Sequence, residues 1–181
     1  LIIGSHDPRA QRFVNEVLPV KVFNLSITQP QVIEQTHQRM REWYHEKGGS
    51  WQREYMPRTV ITVINDDADK SQAEQDAAAN VHAKQAISSY WNALAGTIDP
   101  QKIEKAANNA LIGSCETVAR QIVERFHSDD RLMLWFDYFN HNNEQVIGMM
   151  KAFMEKVAPR VQELLSLSAG NMGSEESLRD G

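Results

Sequence analysis

The sequence predicts an α/β fold, the C-terminal half of a (βα)8 barrel, with four βα units and a helical insertion between the third and fourth strands. Three observations predict it. First, four short apolar stretches punctuate the chain: Leu1-Ile2-Ile3, Val20-Lys21-Val22-Phe23, Thr59-Val60-Ile61-Thr62-Val63-Ile64 and Leu132-Met133-Leu134-Trp135-Phe136. Second, each is followed by a segment of helical pattern. Alternating strands and helices imply parallel strands joined by right-handed crossovers, and four such units are half of an eight-unit barrel. Third, the chain starts inside its first strand and without Met, so the expectation is the back half of a larger protein.

The elements follow in order. The first strand ends at Gly4-Ser5-His6-Asp7-Pro8, where Asp or Ser before Pro is a helix-start signal. The helix it opens runs to about Glu16. The second strand starts after Pro19 and ends near Asn24. Thr28-Gln29-Pro30-Gln31 resembles a capping box. The helix after it carries Ile33, Thr36, Met40, Trp43 and Tyr44 on one face, and Gly48-Gly49 ends it. The third strand is apolar or β-branched on both faces, as in strands covered on both sides. Asn65-Asp66-Asp67-Ala68-Asp69 turns the chain and places acid at a helix N-terminus. Residues 68–95 read as a long Ala-rich helical stretch, Asp99-Pro100 caps another helix, and Gly113-Ser114 opens a third, with Val118, Ile122 and Phe126 facing inward. After the fourth strand a last helix carries Val146, Ile147, Met150, Phe153, Met154 and Val157, a stripe that reads as core. The half-barrel is expected over residues 1–167. Residues 168–181, rich in Ser, Gly, Asn and Glu, read as a mobile tail.

Composition narrows the function. The 181 residues are 41% hydrophobic and 24% charged, enough for a real core. A net charge of −5 argues against a broad electrostatic nucleic-acid footprint. No apolar run approaches the roughly 20 residues that span a bilayer, so neither nucleic acid nor membrane is an expected partner. The single cysteine, Cys115, excludes an internal disulfide framework and zinc sites built on paired cysteines, and it fits a reducing, cytoplasmic setting.

In a barrel, chemistry belongs at the C-terminal strand ends. Gly4-Ser5-His6-Asp7-Pro8-Arg9 is the first candidate. A glycine at a strand end admits close backbone approach, and a following helix start suits phosphate. Ser5 offers a hydroxyl and Arg9 a charge. The same residues also read as an ordinary βα turn with a helix cap. The second candidate is Asp137, Tyr138, Asn140 and His141 after the fourth strand, which equally read as loop caps. Asn24, Ser26 and Thr28 form a weaker third group. The six histidines show no metal spacing, and no metal site is expected. His37, His45, His82 and His127 read as helix-surface residues, whereas His6 and His141 are better placed. Cys115 sits at a helix start, where a thiol pKa can fall, yet without a visible partner it reads as incidental. Trp43, Trp51 and Trp91 read as packing residues.

Three segments resemble the luciferase-like flavin-dependent monooxygenases. Leu1-Ile2-Ile3-Gly4-Ser5 with Pro8-Arg9-Ala10 is similar to that family's fifth strand and phosphate-binding turn. Leu18-Pro19-Val20-Lys21-Val22-Phe23-Asn24 is similar to its sixth strand. Ala110-Leu111-Ile112-Gly113-Ser114-Cys115-Glu116-Thr117-Val118-Ala119 is similar to its Gly-Ser-Pro-Glu-x-Val-Ala segment, with Cys115 in place of the usual proline. The resemblance extends to about Val161. It implies a (βα)8 barrel enlarged after its seventh strand, here residues 66–130. It also implies reduced FMN as cofactor, or the deazaflavin F420 in one branch, and oxidation of a small organic substrate with O2. Gly4 and Ser5, with His6 and Arg9, would hold the cofactor phosphate. Phe23 and Asn24 would approach its rings, and Asp137, Tyr138, Asn140 and His141 would line the substrate pocket. The family's first four strands supply most of its candidate catalytic groups, so no catalytic residue is assigned. A flavin reductase and the complementary N-terminal half are the implied partners. The alternatives are a non-catalytic half-barrel that self-associates, two copies rebuilding eight strands, and an F420-dependent hydride-transfer enzyme.

Overall fold

A computed structural model describes residues 1–5, 7–24, 28–93, 100–136 and 142–176. The strands are β1 (Ile2–Ile3), β2 (Lys21–Val22), β3 (Arg58–Ile64), β4 (Leu111–Gly113) and β5 (Leu132–Trp135). The helices are α1 (Pro8–Asn15), α2 (Pro30–Trp43), α3 (Gln72–Ala93), α4 (Pro100–Asn109), α5 (Cys115–Arg125), α6 (Asn143–Ala152) and α7 (Ala158–Glu176). The fold is α/β with parallel strand pairs. β1 lies beside β2 with Ile2 opposite Lys21, and β3 beside β5 with Arg58 opposite Leu132. A parallel bridge joins Asn24 to Arg58, and the larger sheet has the order β4-β3-β5.

The described strands number five, against the four expected. β4 is fully buried and its Gly113 carbonyl accepts from Asn65 N at 3.0 Å. Three residues are too few to display a period of two, which is why the pattern hid it.

Two compact units divide the chain. One comprises Leu1–Thr62, Tyr90–Ala110 and Ser128–Trp135, the other Val63–Ser89, Leu111–His127 and Phe136–Gly181. The first is built on Val22, Ile33, Met40, Trp51 and Met56, with Tyr44 and Tyr55 packed against them. Each such side chain withdrawn from water contributes roughly 1.5–3 kcal/mol. Trp51 is core as expected, meeting Tyr44 and Tyr55 edge-on at 5.2 and 5.8 Å. The second unit buries a stripe of α3, Ala79, Ala83, Ala86 and Ile87, together with Leu111, Val118, Met149 and Val157.

Helix starts follow local chemistry. Asp7 caps α1 by accepting from Arg9 N at 2.9 Å, with Pro8 at the first helical position. Ser114 caps α5 through Thr117 N at 3.2 Å. The Thr28–Gln31 capping box does not form. Gln29 stands at that cap without a side-chain bond, and Pro30, fixed in φ and lacking an N–H, sets the boundary by itself. The reciprocal box lies before α3, where Ser71 N donates to Glu74 Oε2 at 2.8 Å and Glu74 N to Ser71 Oγ at 3.4 Å. α2 also ends earlier than expected, at Trp43, because Tyr44 turns extended. Gly48 then passes so close to Tyr44 and Pro19 that a Cβ would lie 2.5 and 2.7 Å from them.

Two packing expectations are corrected. His37 is not a surface residue: it is wholly buried on the Ile33–Met40 face of α2. In the last helical segment Ile147, Met150 and Met154 are exposed, while Met149, Ala152 and Val157 are buried. A π turn over Phe153–Val157 separates α6 from α7, and its wider spacing carries the buried face from Ala152 to Val157.

Candidate functional site

The turn leaving β1 combines Gly4 with the side chains of Ser5, Asp7, Arg9 and Gln11. Gly4 has open space beside it, since a Cβ there would meet nothing within 4 Å. Ser5 accepts from Asp7 N at 3.3 Å, and its carbonyl accepts from the buried Gln11 amide at 2.8 Å. Arg9 is 93% exposed and pairs with Asp7 at 3.2 Å. That pair holds the Asp7 carboxyl below its usual range, chiefly through the Arg9 side-chain hydrogen bond, so Asp7 is ionised. For an anionic phosphate the turn therefore offers an open flank and an exposed cation. One feature opposes it: the Asp7 carboxylate already occupies the amide of Arg9 at the helix start.

At the end of β2, Asn24 is bound by its backbone, its N–H to Pro57 O at 3.1 Å and its carbonyl from Thr59 N at 3.0 Å. Its side chain is 0% exposed. Neither polar atom of its amide has a hydrogen-bond partner among the described residues. Such an orphan costs about 1–3 kcal/mol and calls for an explanation; a polar atom of a bound group would relieve it. Strand alternation puts Asn24 on the face of Val20 and Val22, and Phe23 on the other. The two side chains therefore meet different surroundings. His6, Asp137, Tyr138, Asn140 and His141 lie outside the described residues.

Sequence reasoning missed a buried charge network where β3 and β5 begin. Asp130, its side chain 2% exposed, accepts from Arg53 Nε at 2.7 Å and Arg58 Nη1 at 3.1 Å. Arg53 also grips Glu34 with two bonds, at 2.6 and 3.0 Å. His37 Nδ1 accepts from Trp51 Nε1 at 3.1 Å, so the neutral ring carries its proton on Nε2, 3.9 Å from Asp130. Burial, with Arg53 nearby, pushes His37 down to about 4, and the ring is neutral at pH 7. A signal was present: His37 stands four residues after Ile33 and three before Met40, within the apolar stripe. Asp130, second of two consecutive acids, carries no local mark of burial.

Cys115, read as incidental, is not an activated thiol. Burial and the adjacent Asp66 push it up to about 11, which outweighs the helix start. Among the described residues no group of three or more His, Cys, Asp or Glu side chains could hold a metal ion. None of their helices is long and apolar enough to cross a membrane.

Solved structures share this fold. Monooxygenase RslO1 from Streptomyces bottropensis is similar with a TM-score of 0.60 at 17% identity, over 87% of this chain and 47% of that one. The fold is that of the luciferase-like monooxygenases. Apo-MsnO8 shares the luciferase-like fold with a TM-score of 0.54 and 11% identity, over 90% of this chain and 50% of its own. So does the oxygenating constituent of 3,6-diketocamphane monooxygenase from the CAM plasmid of Pseudomonas putida, a type II Baeyer-Villiger monooxygenase in complex with FMN. Its TM-score is 0.52 at 14% identity, over 88% of this chain and 48% of its own. The chain spans about half the length of these structures. No family model matches it, and no curated protein does.

Proposed function

We propose that this chain is the cofactor-phosphate half of a flavin- or deazaflavin-dependent oxidoreductase barrel, a monooxygenase using reduced FMN and O2 on a small organic substrate. Four further βα units would complete it, and a flavin reductase would supply reduced cofactor. The observation that carries the reading is the luciferase-like fold over 87% of the chain, with Gly4, Ser5 and Arg9 at the first strand end. When bound, the flavin supplies the redox chemistry. The chain's own residues bind and orient it. Gly4 leaves room for the phosphate, Arg9 swings from Asp7 to meet its charge, and the buried Asn24 amide supplies a donor and an acceptor. His6 joins the phosphate side, and Asp137, Tyr138, Asn140 and His141 the substrate side.

Quenching of flavin fluorescence tests this. FMN and riboflavin differ by the phosphate, so FMN binds more tightly to the chain, and Arg9→Ala erases the difference. Equal binding of the two flavins to the unaltered chain contradicts the reading.

Apolar surface favours a second reading, a self-associating half-barrel. Leu1, Phe13 and Val17 are 81%, 67% and 64% exposed, and β1 pairs with β2 alone among the described strands. Unpaired strand edges invite association. A native mass of twice 20.6 kDa, without flavin binding, is the outcome that reading expects.

A further inference from the structure

Ile64, Asn65 and Asp66, where the chain leaves β3, face α6 across a groove of about 350 Å3. That volume lies in the range of small-molecule sites, roughly 300–1,000 Å3, and strand C-terminal ends are where α/β folds bind ligands. The α6 side is one stripe, Gln145, Gly148, Met149 and Ala152, spaced i, i+3, i+4 and i+7. Ile64, Met149 and Ala152 are buried and form an apolar floor. Gly148 leaves the groove open. A Cβ there would meet nothing within 4 Å, so packing does not require glycine, and glycine within a helix costs roughly 0.5–1 kcal/mol relative to alanine.

The charge of the lining selects the ligand. Asp66 is the ionisable residue among those that line the groove. Its carboxylate already holds a primary ammonium, that of Lys156 in the π turn, at 2.7 and 2.8 Å. Both partners are part-exposed, and such pairs contribute about 0–1 kcal/mol, so a competing ammonium can take the place. The Cys115 thiol lies 3.5 Å from Asp66. It stays protonated at neutral pH and adds no second negative charge.

We propose that this groove binds a small organic ammonium, a primary amine with a short apolar arm, its nitrogen on the Asp66 carboxylate and its arm over Met149 and Ala152. The site shares no residue with the flavin reading, and its test contains no flavin. The 15N-labelled chain is titrated with n-butylammonium, n-butanol and butyrate while the amides of Asn65, Asp66 and Gly148 are followed. Butylammonium shifts them saturably, and neither n-butanol nor butyrate does. Asp66→Asn weakens the affinity by about tenfold, the loss of one charge-assisted hydrogen bond. Lys156→Ala strengthens it by removing the competitor, and Gly148→Leu, with an unchanged melting temperature, abolishes it. Absence of saturable shifts, an equal response to butyrate, or undiminished affinity in Asp66→Asn overturns the proposal.

Discussion

The two ends of β3 are built on opposite plans. At its start, Arg58 enters a closed network with Asp130, Arg53 and Glu34, in which each charge meets an opposite one and Asp130 is almost fully withdrawn from water. At its finish, Ile64, Asn65 and Asp66 open onto a groove, and Asp66 is paired with the part-exposed Lys156. Buried ion networks lock structure, because losing one member strands the others. Open, loosely paired charge can exchange partners. The contrast agrees with the division of labour in barrels, where N-terminal strand ends stabilise and C-terminal ends bind.

Substitutions sharpen the contrast, beginning with the largest effect. Asp130→Ala leaves Arg53 and Arg58 buried without their carboxylate and destabilises by about 3–5 kcal/mol, read from urea unfolding; a loss under 1 kcal/mol would break the comparison. Next is the pH response. His37 falls from 6.5 to about 4 in the folded chain, so between those values the unfolded chain takes up its proton first. This contribution is therefore complete above pH 6.5 and is lost as pH falls toward 4, by about 3 kcal/mol. Glu34, lowered by Arg53, adds its own loss only as pH falls through the carboxylate range. His37→Asn flattens the slope between pH 6.5 and 4, as denaturation at several pH values will show.

Gly113 gives an intermediate effect. Its φ is +149°, and a Cβ would come 2.6 Å from Asp76 Oδ1 and 2.7 Å from Thr117 Cγ2. Asp76 there accepts from Ser114 N at 2.6 Å and Thr117 Oγ1 at 3.0 Å, tying α3 to the start of α5. Gly113→Ala costs about 1–3 kcal/mol, measured as a lowered unfolding midpoint. The groove end gives the smallest effect: Asp66→Asn changes stability by less than about 1 kcal/mol, and Gly148→Ala leaves it equal or slightly higher. A large loss from either would mean that this end is structural too.

The sequence made the longer elements legible. β3 shows itself as a continuous apolar run, α2 by the spacing of Ile33, Thr36 and Met40, and α1 and α5 by Asp7-Pro8 and Ser114. Helical periodicity did not reveal where burial departs from apolarity. His37 and Asp130 are polar residues made core residues by partners up to 93 positions away, a relation no local window contains. In α6 the buried face is Met149 and Ala152 rather than Ile147 and Met150, and β4 was too short to read. At the candidate site the turn of Gly4, Ser5 and Arg9 was legible from glycine and capping chemistry. The Asp7–Arg9 pair and the orphaned Asn24 amide needed three dimensions. The β3 groove was hidden because its polar rim residues, Asn65 and Gln145, lie 80 positions apart.

The central claim, a flavin phosphate at the β1 turn, is most directly tested by titrating the 15N-labelled chain with FMN and separately with riboflavin. The account predicts that FMN shifts the amides of Gly4, Ser5 and Arg9 saturably and that riboflavin leaves them in place. FMN shifts absent from those three residues, or matched by riboflavin, would contradict it.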